Sequence, residues 1–258
     1  TLLSEIITSS FVLGFLPILS FFFITLKIPK FTNLTSFFST SAFAKEVTLL
    51  MDWFPQGNQS GYWQAEFDNR YHTDVTIKVK AGGPKVNTTT AVASGQVEFG
   101  LQASDSVMLA NAKGAGLKGI FVSLDHVPYT LVYHPNTGVN SVKDLDGRPF
   151  AVKMGVTYWK WVKHTYGLNN VKEFPLTGDL GLFARTPQQF QQGYSLFLPA
   201  RLDAKGVANE QITVESLGYR PYSVLFTSDK MIKENPELVQ AVVDLSLIHI
   251  SEPTRPVP

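Results

Sequence analysis

Between about residue 47 and residue 244, short runs of β-forming residues alternate with helical stretches, and this alternation leaves the chain few architectures. Val47–Met51, Val75–Val79, Val97–Leu101, Gly119–Ser123 and Tyr129–Tyr133 are rich in Val, Ile and aromatics and are bounded by Gly, Pro or Asn, which predicts strands. Helices are expected between them over about Tyr62–Asn69, Val86–Ser94 and Asp105–Lys113, the last with Ser104 as N-cap and Gly114 just past its end. A second set follows. Pro149–Lys153 is a predicted strand, Thr157 caps a helix that stops at Gly167, and Val171–Pro175 is another strand. Thr186 and Pro187 predict a helix carrying Gln188–Gln192, while Ile212–Glu215 and Ser223–Phe226 are later strands and Asn235-Pro236 opens the last helix. The expected fold class is therefore α/β, built from βαβ units with largely parallel sheets. Residues 45–132 would form one lobe and 133–220 a second, with 221–244 returning to the first, so that the chain crosses twice, near Val132 and near Pro221, as a hinge requires.

Composition narrows the functions. With 258 residues, 44% hydrophobic content and a net charge of +1, the chain can bury a real core. Its basic residues are scattered along the sequence, so no nucleic-acid partner is expected. Without cysteine there is no disulfide, thiolate nucleophile, Cys-ligated zinc or lipid-bearing N-terminal cysteine, and the five histidines are too dispersed for a metal motif. No GxxxxGK[ST] loop and no Ser/His/Asp or Cys/His arrangement is recognisable. The expectation is a non-enzyme that needs no cofactor.

Both ends stand apart from this pattern. Phe11–Leu26 is an apolar run and Ala42-Phe43-Ala44 is a small-x-small site, so 1–44 is expected to be an export signal or an apolar anchor segment, placing the protein in the periplasm or otherwise outside the cytoplasm. The run is shorter than the ~20 residues of a spanning helix, which favours a cleaved signal. Leu245–Arg255 resembles translated adapter sequence, which implies that 245–258 is a non-native tail on a C-terminally truncated fold.

In open α/β sheets ligands sit beyond the carboxyl ends of strands. Asp52, Trp53 and Phe54 follow the apolar strand VTLLM, where a carboxylate accepts hydrogen bonds and aromatic faces stack. Ser104 and Asp105 open a helix after VEFGLQ, and Thr157, Tyr158 and Trp159 open another after Pro149–Lys153. Asp179 and Tyr194 are further candidates, and Asp125, His126 and Tyr129 are weaker ones. Trp161, Val162 and Tyr166 lie at helical spacing, which fits core packing better than ligand contact.

An ordered series of segments carries a resemblance: VTLLMDWFPQ, AGGPKVN, ASGQVEFG, SVKDLDGRPFAV, TYWKWVKHTYGL, QQGY, GYRPY and SDKMIKENPELV. Over about Val47–Asp244 the chain resembles substrate-binding proteins of ABC importers, in the branch of nitrate, sulfonate, taurine and thiamine-pyrimidine precursor binding proteins. The resemblance implies the periplasmic-binding-protein type II fold, two α/β lobes joined by a two-crossing hinge. It also implies a monomer that carries a small-molecule solute to ABC permease and ATPase subunits. Asp52, Asp105, Asp125 and Asp179 beside Trp53, Tyr158 and Trp159 suit a planar, amino-bearing heterocycle such as a thiamine pyrimidine precursor. A nitrate-, sulfonate- or taurine-type solute is the alternative. A thiamine-pyrimidine synthase-like enzyme shares the resemblance, but its cysteine-rich signature is missing here.

Overall fold

The structure, a computed structural model, describes residues 45–67 and 75–246. The expectations for segment 1–44, and for the tail beyond Ser246, lie outside the described residues.

The strands form two five-stranded sheets. In the first the order is β2 (Val75–Lys80), β1 (Lys45–Leu50), β3 (Phe99–Ala103), β10 (Ser223–Ser228) and β4 (Leu117–Leu124). In the second it is β7 (Lys172–Pro175), β6 (Pro149–Val152), β8 (Phe190–Tyr194), β5 (Tyr129–Tyr133) and β9 (Glu210–Thr213). The two orders are the same design. β1 runs parallel to β2 and β3, and β6 runs parallel to β7 and β8. The fourth strand of each sheet, β10 or β5, is antiparallel to both neighbours. The sheets are thus mixed rather than largely parallel, and the crossings supply the reason. β4 and β9 end at the interlobe face, so the strand that follows each crossing starts at that face and must run away from it.

That rule also moves the first boundary. β5 pairs with β8 over Tyr129–Val132 and with β9 over Thr130–Tyr133, Val132 included in both, so the chain leaves the first sheet after Leu124 and crosses through residues 125–128. The two crossings touch. Val127 N donates to Pro221 O at 2.8 Å, and His126 stands between Asp125 (2.8 Å from Nδ1) and Glu215 (3.1 Å from Nε2), with Arg220 Nε 3.2 Å from Glu215.

Each sheet has its own core. Val47, Leu49, Met51, Ile77, Phe99 and Leu225 anchor the first, and Leu131, Phe150, Val152, Tyr158, Val162 and Phe190 the second. The helices that cover them are α1 (Ser60–Phe67), α2 (Thr88–Ala93), α3 (Ser104–Asn111), α4 (Thr157–Tyr166), α5 (Leu180–Arg185), α6 (Leu198–Asp203), α7 (Asp229–Glu234) and α8 (Pro236–Ser246). α4 ends as expected, with Gly167 in the left-handed region at φ 69°. Among the described residues no helix is long and apolar enough to cross a membrane.

The expected helix after Thr186 does not form. Thr186 instead caps the end of α5, and Phe190–Tyr194 is β8, the middle strand of its sheet. Gln191 and Gln192 are buried there, with Gln189 buried just before it, and a central strand this polar has no apolar period to betray it. Two predicted caps also shift by one residue. Ala103 takes the N-cap position of α3 and Val156 that of α4, which places Ser104 and Thr157 inside the first turns.

Candidate functional site: a cleft between two strand exits

A cavity of about 710 Å³ lies where the carboxyl ends of the two sheets face each other. The first sheet contributes Asp52, Trp53 and Phe54 from the loop after β1, and the second contributes Lys153 and Met154 from the loop after β6. Register relates the two loops. Leu49 pairs with Phe99 and Phe150 pairs with Phe190, and three positions beyond these stand Asp52 and Lys153.

Asp52 is buried at the cleft floor. Its carboxylate accepts from Gln59 Nε2 at 3.1 Å and from Tyr194 OH at 3.4 Å. Burial pushes its pKa up to about 6, opposed by the Lys153 ammonium and by these hydrogen bonds. Lys153 Nζ donates across the cleft to Val86 O at 3.2 Å and Asp52 O at 3.5 Å, and lies 5.5 Å from the centre of the Trp53 ring. Burial lowers the pKa of this amine, and the Asp52 carboxylate works in the other direction. Ser106 Oγ and Thr157 Oγ1, 3.4 Å apart, make a further bridge between the lobes.

The AGGPK segment holds the first loop in place. Gly82 N donates to Trp53 O at 2.9 Å, and a Cβ on Gly82 would stand 2.1 Å from Met51 O, so only glycine admits this approach. The Trp53 and Phe54 rings meet edge to face with centroids 5.7 Å apart. One flat face of the site is therefore braced by backbone contacts.

Of the candidates read from sequence, Asp52, Trp53, Phe54, Thr157 and Tyr194 line the cleft, as does the weaker candidate Tyr129. Five do not. Ser104 Oγ accepts from Tyr222 N at 3.1 Å, and Asp105 accepts from Ser106 N at 2.6 Å and Tyr219 OH at 2.7 Å, so both tie down the second crossing. Asp179 caps α5 by accepting from Gly181 N at 2.8 Å. Tyr158 and Trp159 are buried in the second core, stacked on Tyr129 at 4.4 Å and edge-on to Phe150 at 4.7 Å. Helical geometry explains this split. Thr157 and Lys160, three apart, share the cleft face, so Tyr158, Trp159 and Val162 turn inward. Asp125 and His126 belong to the ion cluster at the crossings, and Trp161 packs on Tyr219 and Tyr166.

Of the four acids read as ligand partners, only Asp52 lines the cleft. Lys153, Gln191 and Gln192 were not expected there. Lys153 carried a usable signal, since it follows the apolar strand PFAV as Asp52 follows VTLLM. Among the described residues no group of three or more His, Cys, Asp or Glu could hold a metal ion.

Comparison with known proteins gives concordant results. The family model described as NMT1/THI5 like matches residues 71–247. Riboflavin-binding protein RibY of Chloroflexus aurantiacus is 24% identical over 224 residues, which cover 79% of this chain and 61% of that protein. The 4-amino-5-hydroxymethyl-2-methylpyrimidine phosphate synthase of Legionella pneumophila is 27% identical over 116 residues, 42% of this chain and 34% of that one. The chain thus spans less than two thirds of either relative. In fold it is similar to the alkanesulfonate-binding protein SsuA of Xanthomonas axonopodis pv. citri, with a TM-score of 0.63 at 15% identity, covering 83% of this chain and 77% of that one. The periplasmic aliphatic sulphonate binding protein SsuA of Escherichia coli has a TM-score of 0.59 at 14% identity, covering 79% and 74%. These likenesses show the periplasmic-binding-protein fold.

Proposed function

The chain belongs to the NMT1/THI5-like family, and we propose that it is the extracytoplasmic solute-binding component of an ABC importer. It would work as a monomer that closes two lobes over a small planar solute and delivers it to permease and ATPase subunits. One observation carries the reading: the cleft is built jointly from the strand exits of both lobes and bridged by direct hydrogen bonds between them. Closure of such a cleft excludes water and needs no bond to be made or broken. Trp53 and Phe54 supply flat apolar area, and Asp52 supplies an acceptor for an amino group, so an amino-bearing heterocycle such as a thiamine pyrimidine precursor is the preferred solute. Asp52, Trp53, Phe54, Thr157 and Tyr194 are the proposed contacts, with Lys153 and Gln192 added.

The likeness to the Legionella synthase favours a second reading, an enzyme that forms a pyrimidine. A thermal-shift panel of 4-amino-5-hydroxymethyl-2-methylpyrimidine, riboflavin, taurine and nitrate tests the first. A true solute at ~100 times its dissociation constant stabilises the fold by about 2.7 kcal/mol and is recovered unchanged. Formation of a pyrimidine by the protein incubated with pyridoxal phosphate and no member of the panel, followed by mass spectrometry, would replace the binding reading with the enzymatic one.

A further inference from the structure

The charges lining the cleft are strongly one-sided. Lys85, Lys113, Lys153, Lys160 and Arg201 line it, against the single carboxylate Asp52. The whole chain has 22 Lys and Arg against 21 Asp and Glu, so composition does not account for this imbalance. Lys153 is engaged at the floor by two carbonyl oxygens. The other four are exposed, and among the described residues none of them is in an ion pair.

Their placement is as informative as their number. Lys85 follows β2 and Lys113 follows α3 in the first lobe, whereas Lys160 is on α4 and Arg201 on α6 in the second. Each lobe therefore brings two cations to the mouth of one cavity. Ordinary solvated faces mix both signs, and an acid among these four would screen them. A low-dielectric cleft bordered by one sign of charge focuses its field and gathers counter-charged solutes.

Resting on the reading of the cleft as a solute site, we propose that its ligand is a planar molecule bearing an anionic group, the charge held by Lys85, Lys113, Lys160 and Arg201. The ring lies against Trp53 and Phe54 over the Asp52 floor, and a phosphate or sulfonate arm reaches outward to the collar. This adds a charge requirement to the shape and amino-group requirements of the floor. Because the cations come from both lobes, the anion also favours closure: it is neutralised fully only when the lobes approach.

Isothermal titration of the full chain with 4-amino-5-hydroxymethyl-2-methylpyrimidine and with its phosphate ester, at low and high salt, tests the inference. The ester is expected to bind roughly tenfold more tightly at low salt, a modest gain because exposed charges are individually weak. That advantage should fall at high salt and vanish in the double variant Lys113→Glu/Lys160→Glu, which changes one exposed residue in each lobe. Equal or weaker binding of the ester, with the alcohol still bound, overturns the inference and leaves the solute-binding reading standing. If neither molecule binds, and no solute of the panel above does, the solute-binding reading itself falls, and the collar proposal falls with it. The comparison of the two ligands on the unaltered chain decides the matter even if the double variant misfolds.

Discussion

The loop after β1 and the loop after β6 occupy corresponding places in two sheets of one design, yet they carry opposite chemistry. The first presents a buried acid and two aromatic rings to the cleft, whereas the second presents an amine and buries its aromatics behind it. The first loop bends through residues 52–54, braced by Gly82, before any helix begins, so consecutive side chains can reach the same cavity. The second enters a helix at Thr157, and each residue there is rotated by about 100° from the last, so consecutive side chains cannot share a face. An aromatic beside a strand exit is thus a cleft residue or a core residue according to how soon the helix begins.

The contrast is broken most forcefully at the two tryptophans. Trp159→Ala should lower unfolding free energy by about 3–5 kcal/mol, the cost of emptying a buried aromatic site, as measured by denaturant titration. If Trp159 proves dispensable for stability but not for binding, the division between the two exits is wrong.

Asp52 gives the next largest effect. Its folded-state pKa of about 6 lies above the ordinary 3.8, so the native state holds its proton more tightly than the unfolded chain does. The group therefore favours folding below about pH 4, and that contribution is lost as pH rises through 6. Asp52→Asn should abolish this part of the pH dependence, a difference on the order of 2–3 kcal/mol between the two stability curves from pH 4 to pH 7. Parallel curves for the two proteins would place Asp52 in a more solvated setting than the cleft floor.

Trp53→Ala sharpens the comparison from the other side. It should weaken solute binding by about tenfold, read by calorimetry, while costing less stability than Trp159→Ala. The smallest effect is expected at the crossings, away from both exits. Glu215→Gln removes the shared partner of His126 and Arg220, and exposed ion pairs of this kind are worth about 0.2–1 kcal/mol, so thermal unfolding should shift only slightly and solute affinity should not change.

The alternation of strands and helices was plain in the sequence because period-2 and capped segments are local signals. Tyr129–Tyr133 is a strand with the bounds expected, and Asp52, Trp53 and Phe54 follow β1 into the cleft as an acid and two aromatics at a strand end should. What local pattern cannot carry is partnership. Val132 reads as the last strand residue of a first lobe until its neighbours Gln191 and Gln211 place it in the second sheet. Gln191 and Gln192 read as a helix until burial in the middle of a sheet makes them β8.

Sequence alone determined the fold class, most of the alternation of strands and helices and one wall of the cleft, since each rests on residues that are neighbours in the chain. Tertiary structure alone decided that Asp52 meets Lys153 and Tyr194, that Tyr158 and Trp159 face inward, and that four exposed cations from two lobes converge on one mouth. Those facts depend on contacts between residues many positions apart, and on burial, which sets both the direction of a pKa shift and the strength of a charge.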